Sequence, residues 1–340
     1  MIQIEKNVRL DTLTTLGCLS EAEHFVRVTS KEEVIEALSV AEQNGWLVHI
    51  LGAGANTIAR SHVDGLVMLV DIRGFSLQET DEGALLTVGA GEVFDDVIAR
   101  SLAAGYSGLE NLSLIPGKVG GAVVQNIGAY GAELAENFVS VRVWDPVNKV
   151  ERVLTLAECD FSYRHSIFKT MLASNFVILS AVLRVYKTFT PKIGYRDIEQ
   201  VMEREGLTLD KLTAQKMREI IMDIRTKKLP DPKVIGNAGS FFTNPIVNKV
   251  LWRKILTTHP SLVYYPLAGS RMKLAAAWLI EAAGFKGFTD GPVGVYENHA
   301  LILVNHGGAT GEDIIRLART IQKHVKDTFG IKLAMEPVIL

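Results

Sequence analysis

The chain has 340 residues, 48% of them hydrophobic and 22% charged, with 36 Lys and Arg against 38 Asp and Glu for a net charge of −2. These proportions are those of a globular protein and exclude a disordered chain, a collagen-like repeat and a disulfide scaffold; at about 150 residues per domain they imply two or three domains. A near-neutral chain has no global positive field to gather nucleic acid or an anionic membrane, so an anionic ligand must be held by a local site.

From the N-terminus, MIQIEKNVRLDTLTTLG has no apolar signal-peptide core, and no run of about 18 apolar residues follows. Ser30 with Glu33 is a capping-box signal for a helix whose stripe is Val34, Leu38 and Ala41 and whose end is Gly45. WLVHIL at 46–51 reads as a buried strand running into Gly52-Ala53-Gly54-Ala55-Asn56, a glycine-rich loop at a strand end, where α/β proteins often bind ligands. Strands are predicted at 65–72 and 84–91, and a helix at 92–105 stopped by Gly105.

The stretch at 115–131, IPGKVGGAVVQNIGAYG, holds Gly117, Gly120, Gly121, Gly128 and Gly131, a density that argues for close backbone approach to something. After a strand-like run at 177–186 comes a helix with Met217, Ile220, Ile221 and Ile224 on one face, and RTKKLPDPK at 225–233 breaks the pattern as a domain boundary. A last helix carries Ile314, Leu317, Ala318, Ile321 and Val325 behind a Thr310/Asp313 N-cap pair.

GAGAN is not a G-x-G-x-x-G dinucleotide fingerprint, because Thr57 takes the place of the third glycine. Two glycine-rich loops can still cradle a pyrophosphate with main-chain N–H groups alone; a purely structural pair of turns is the equal alternative. In GNAGSFFTNP, Ser240 precedes two aromatics but is no nucleophile elbow, and on the residues alone a turn serine outweighs a catalytic one. Glu336, in the terminal AMEPVIL, is either a buried carboxyl needing a partner or an exposed strand residue. Arg164, among the aromatics of FSYRHSIFK, has the planar fork that clamps a carboxylate, though most arginines simply sit at the surface. Cys18 and Cys159 form no metal-spaced pair, the histidines show no ligand spacing, and no metal is expected.

Taken in order, TTLG at 14–17, ILGAGAN at 50–56, VGAGE at 88–92, the 108–131 stretch, FSYRHSIFK, RTKKLPDP, GNAGSFFTNP, KLAAAWLIEAAG at 273–284 and AMEP resemble the UDP-N-acetylenolpyruvoylglucosamine reductases, the MurB family. The resemblance spans nearly the whole chain. It implies an α+β protein: a two-subdomain FAD-binding module of the vanillyl-alcohol-oxidase/PCMH type plus a separate α+β substrate-binding domain. The expected division is 1–66 and 67–212 for the two FAD subdomains, 213–325 for the substrate domain, and 326–340 as a segment returning to the active site.

The family's chemistry would then be reduction of noncovalent FAD by NADPH, followed by hydride transfer from flavin N5 to the vinyl carbon of the enolpyruvyl ether of UDP-N-acetylglucosamine, giving UDP-N-acetylmuramate for peptidoglycan. By position, Ser240 matches the proton donor, and Arg164 and Glu336 match the residues that polarise the carboxylate and stabilise the enolate. Gly52, Ala53, Gly54, Ala55, Asn56, Pro116, Gly117, Gly120, Gly121, Ala122, Asn126, Gly128, Tyr130 and Gly131 match the flavin-binding loops. Tyr163, Tyr195, Lys228, Asn244 and His299 match or lie near substrate-binding positions, although a structural histidine is an equal reading of His299. Tyr195 in GYRD also resembles the tyrosine loop of the type I subgroup. Ala55 and Val123 depart from the family pattern, where serine and proline are common. The partners implied are small molecules, with no nucleic acid and no membrane, and the default is a cytoplasmic monomer.

Three other readings stand beside this one. Another FAD oxidoreductase of the same fold, acting on a sugar or alcohol, would share the N-terminal loops without needing Ser240, Arg164 and Glu336. A flavin or nucleotide-sugar sensor would keep the fold without turnover. A Rossmann dehydrogenase fails at Thr57.

Overall fold

A computed structural model describes residues 2–170 and 176–340. Contacts divide the chain into two compact units, each discontinuous in sequence: residues 1–8, 22–53 and 64–227, and residues 9–21, 54–63 and 228–340.

The first unit is built on two sheets. One orders Glu5–Arg9, Glu21–Val28, His62–Val70 and Val48–Leu51, the last two parallel. The other is antiparallel and orders Val150–Thr155, Phe138–Asp145, Val177–Tyr186, Gly83–Gly89 and Phe75–Glu79. Helix α1 (Lys31–Asn44) starts where Ser30 Oγ accepts from Glu33 N and ends at Gly45, whose φ of 69° lets its N–H reach the last carbonyls. Helix α2 (Phe94–Ala103) buries Phe94, Val97 and Ile98. The glycine-dense stretch forms the short helix α3 (Val119–Gln125), closed by Asn126 in the left-handed region.

These elements share one apolar core that includes Val34, Leu66, Leu86, Val97, Val123, Val141 and Leu183. A satellite cluster joins α4 (Arg196–Glu205) to α5 (Ala214–Lys228) through Ile198, Val201, Met217, Ile220, Ile221 and Ile224. Helix α5 runs on through Arg225 to Lys228, three residues past the predicted break, because nothing before Pro230 removes a main-chain donor. Residues 214–227, placed at the head of the substrate domain from the sequence, cluster with the first unit through this face.

In the second unit an antiparallel sheet orders Gly236–Ser240, Ile302–Asn305, Val293–Val295 and Thr289–Asp290. A smaller sheet orders Ile246–Asn248, Arg271–Leu274 and Tyr264–Leu267, near α6 (Lys249–Thr258) and α7 (Ala276–Ala282). Helix α8 (Gly311–Phe329) begins with a capping box in which Thr310 and Asp313 satisfy each other's main-chain donors. The chain end returns as Val338–Ile339, parallel to Thr57–Ile58. Cys18 and Cys159 are buried free thiols, each pushed up to about 12, chiefly by burial. Among the described residues, no helix is long and apolar enough to cross a membrane.

Candidate active site

In the second unit the site is assembled by a stack of main-chain segments. Phe241 and Phe242, fully buried and edge to face at 5.3 Å, anchor the end of the strand that carries Ser240. The returning C-terminal segment pairs with them: Phe242 bridges Met335, Thr243 N donates to Ala334 O at 3.0 Å, and Glu336 N donates to Phe241 O at 2.9 Å. Asn56 closes the other side, its Nδ2 donating to Glu336 O at 3.3 Å and its carbonyl accepting from Val338 N at 3.0 Å. Asn56, Glu336 and the Ser240 segment, distant in sequence, thus occupy neighbouring segments. Ser240 is exposed and Glu336 half-buried, between the two alternatives its sequence context offered.

Two expected substrate residues, His299 and Lys228, are electrostatically linked. Burial lowers the His299 pKa, the positive charges of Lys228 and Lys286 lower it further, and Glu281 opposes them. Its Nδ1 accepts from Leu301 N at 3.3 Å, which assigns the proton of the neutral ring to Nε2. Asn244 has a structural duty: its Oδ1 accepts from Ala276 N at 2.9 Å at the start of α7.

In the first unit Arg164 sits in a left-handed turn, φ 56°, with Nη2 donating to Gly128 O at 2.7 Å and its guanidinium 5.2 Å from the Tyr163 ring. A Cβ on Gly128 would lie 3.1 Å from Arg164 Nη1 and 2.9 Å from Ala132 O, so glycine here admits the arginine. Lys169 ties the two segments together, Nζ donating to Arg164 O at 3.0 Å and to Gln125 Oε1 at 2.7 Å. Asn126, fully buried, spends its amide on the fold: Nδ2 donates to Glu133 Oε2 and Ser162 O, and Oδ1 accepts from Ala135 N, each at 3.0 Å. Ala122 is likewise buried in the core. Tyr195, 42% exposed, meets the Tyr130 ring edge to face at 5.3 Å. Burial raises the Tyr130 pKa, and the hydrogen-bonded Arg225 pulls the other way.

The loops fit a flavin nucleotide by two tests. At Gly52, Gly117, Gly121 and Gly131 an added Cβ would meet nothing within 4 Å, so these segments offer bare backbone to open space. Gly117 and Gly131 also have φ of 143° and 79°, a region that favours glycine. Gln125 gives the second: its Nε2 is buried with no partner, and because an ammonium only donates, Lys169 fixes the amide with that donor turned away. Gly54 differs from its neighbours, since a Cβ there would meet Leu13 O at 2.4 Å and Thr14 Cα at 2.7 Å; it is a packing glycine. Gly120, 3.3 Å from Ala90 Cβ by the same construction, packs as well.

Sequence reasoning passed over Thr15, Gln125, Lys169, Arg225 and Asn237, although each lies inside or beside a quoted motif. Each has a partner distant in sequence, as in Thr15 with Asn237, Lys169 with Gln125 and Arg225 with Tyr130, which no local pattern records.

The comparisons with known proteins agree over the length of the chain. Residues 22–153 match the family described as FAD binding domain, and residues 231–340 match "UDP-N-acetylenolpyruvoylglucosamine reductase, C-terminal domain". A UDP-N-acetylenolpyruvoylglucosamine reductase of Bdellovibrio bacteriovorus is 42% identical over 99% of both chains, and one of Cupriavidus pinatubonensis 41% identical over 96% of both. The crystal structure of the reductase from Thermus caldophilus shares the fold, with a TM-score of 0.69 at 24% identity, covering 100% of this chain and 99% of that one.

Proposed function

Because the chain belongs to the UDP-N-acetylenolpyruvoylglucosamine reductase family, we propose that it reduces the enolpyruvyl ether of UDP-N-acetylglucosamine to UDP-N-acetylmuramate, an oxidoreductase step in peptidoglycan precursor synthesis that consumes NADPH. The open faces of Gly52, Gly117, Gly121 and Gly131, with the Gln125 amide, would hold FAD noncovalently, and the bound flavin would supply the hydride chemistry that links NADPH to the substrate. The observation that carries the reading is the stacking of Asn56, Glu336 and the Ser240 strand, which joins a flavin-loop residue to the main chain of the segments that carry two of the three candidate catalytic residues.

Hydride addition at the terminal vinyl carbon places charge on the substrate carboxylate and requires a proton at the adjacent carbon. Ser240 Oγ delivers that proton. A serine hydroxyl is a weak acid, so the step needs a strongly basic acceptor and a fixed hydroxyl. Arg164 supplies positive charge and donors to the carboxylate, Glu336 holds the enolate as a hydrogen-bonded carboxyl, and Lys228, Tyr163, Tyr195, Asn244 and His299 bind the nucleotide sugar. His299, kept neutral, offers a donor without a charge. The GYRD loop at 194–197 supports the type I subgroup. A cytoplasmic monomer completes the proposal.

The test is NADPH consumption dependent on the enolpyruvyl substrate, with the product identified by mass spectrometry. Product two mass units heavier than substrate supports the reading; flavin turnover on an alcohol or sugar alone would replace it with the oxidase alternative. The C-terminal match over 231–340 favours the reductase.

A further inference from the structure

The TTLG motif at 14–17 has no part in the chemistry above, yet Thr15 sits at a junction. Its Oγ1 donates to Asn237 O at 2.7 Å, its carbonyl accepts from Asn237 N at 3.0 Å, and its own N–H donates to Gly54 O at 3.2 Å. Thr15 therefore joins the glycine loop at 54–56 to the strand that ends in Ser240.

Asn237 carries the connection onward. Its side chain is 5% exposed and fully engaged: Nδ2 donates to Pro230 O at 3.2 Å and Ile235 O at 3.0 Å, and Oδ1 accepts from Gly239 N at 3.0 Å. Gly239, with φ 66°, is the residue before Ser240, and the strand pairing with Ile302–Asn305 slips between Asn237 and Ser240. A register slip of this kind re-aims the next side chain. The bulge has open space beside Gly239 rather than packed atoms, so hydrogen bonds and not side-chain packing define it there.

We infer that Thr15 and Asn237 are positioning residues for Ser240: together they hold the bulge that sets the direction of its hydroxyl and tie it to the loop containing Gly54 and Asn56. This rests on the assignment of Ser240 as proton donor. A hydroxyl displaced by a fraction of an ångström loses much of its effectiveness in proton transfer, whereas reduction of the flavin by NADPH needs no proton from Ser240.

The experiment uses the flavin-loaded Thr15→Val protein, which keeps the shape and the main-chain bonds and removes one hydroxyl. Anaerobic single-turnover kinetics at saturating substrate separate the two half-reactions. Reoxidation by the enolpyruvyl substrate is expected to slow about tenfold, the scale of one hydrogen bond, while reduction by NADPH stays within about twofold and Thr15→Ser restores reoxidation. Asn237→Ala is expected to show the same split with a larger loss; if it does not fold, the Thr15 pair carries the test. Ser240→Ala is the control. Slow Ser240→Ala with Thr15→Val at the wild-type rate overturns the inference alone, as does an equal loss in both half-reactions. Ser240→Ala reoxidising normally removes the serine assignment and the inference with it.

Discussion

The main-chain N–H of Glu336 donates to the carbonyl oxygen of Phe241, the residue after Ser240, at 2.9 Å. The segment that carries the Glu336 carboxyl is thereby tied to the strand bearing Ser240, the proposed proton donor, and Asn56 holds the same segment from its other side. Glu336→Gln keeps these main-chain bonds and alters only the side chain. We expect it to slow substrate-driven flavin reoxidation by roughly a hundred- to a thousandfold, the range for one group stabilising an oxyanion, with flavin reduction unchanged. Single-turnover absorbance checks this, and a wild-type reoxidation rate would remove Glu336 from the mechanism.

Two glycines of one loop predict opposite phenotypes. Gly54→Ala places a Cβ 2.4 Å from Leu13 O at a φ of 60° and should lower stability by roughly 1–3 kcal/mol or more through strain and overpacking. Gly52→Ala meets no protein atom within 4 Å. It should leave the melting temperature of the flavin-free protein unchanged and weaken FAD binding, measured by titration of the apoprotein.

Arg218 forms a paired contact with Asp95, Nη1 to Oδ1 at 2.7 Å and Nη2 to Oδ2 at 2.8 Å. Burial pushes the Asp95 carboxyl up, but the Arg218 hydrogen bond and the Leu114 N–H outweigh it and hold the group below the usual carboxylate value. Arg218→Met leaves that half-buried carboxylate with only the Leu114 N–H and the charge of Arg225 to offset its burial, and denaturant unfolding should report a loss of about 1–3 kcal/mol.

Asp313 in the α8 capping box is lowered to about 2 by the main-chain and side-chain hydrogen bonds of Thr310, with Arg316 adding to them. A carboxyl depressed on folding contributes stability that is present above its unfolded value, about 3.9, and is lost as pH falls through its folded one. Wild-type stability therefore drops between about pH 4 and about pH 2, and Asp313→Asn should flatten this step while losing about 1 kcal/mol at neutral pH. An unchanged acid limb in thermal melts across this window would contradict it.

The sequence was most legible where one segment decides its own structure. Ser30 and Gly45 bound α1, Thr310 and Asp313 open α8, and the apolar run at 177–186 is the central strand of its sheet. Short strands such as Tyr264–Leu267 and Arg271–Leu274 escaped notice because four residues carry too little periodicity. In the site, glycine density pointed to the loops but did not distinguish Gly52, open on one side, from Gly54, packed against Leu13; that depends on a chain segment some forty residues away. Thr15 and Asn237 were hidden for the same reason, their bond linking positions more than two hundred residues apart.

The most direct test of the account is anaerobic stopped-flow absorbance on the flavin-loaded protein, reduced with stoichiometric NADPH and then mixed with UDP-N-acetylglucosamine enolpyruvate. The account predicts rapid return of the oxidised flavin spectrum with one UDP-N-acetylmuramate formed per flavin, and in Ser240→Ala an unchanged reduction with reoxidation slowed by roughly a hundred- to ten-thousandfold. Flavin that reduces but stays reduced with this substrate, and is reoxidised only by oxygen, would contradict it.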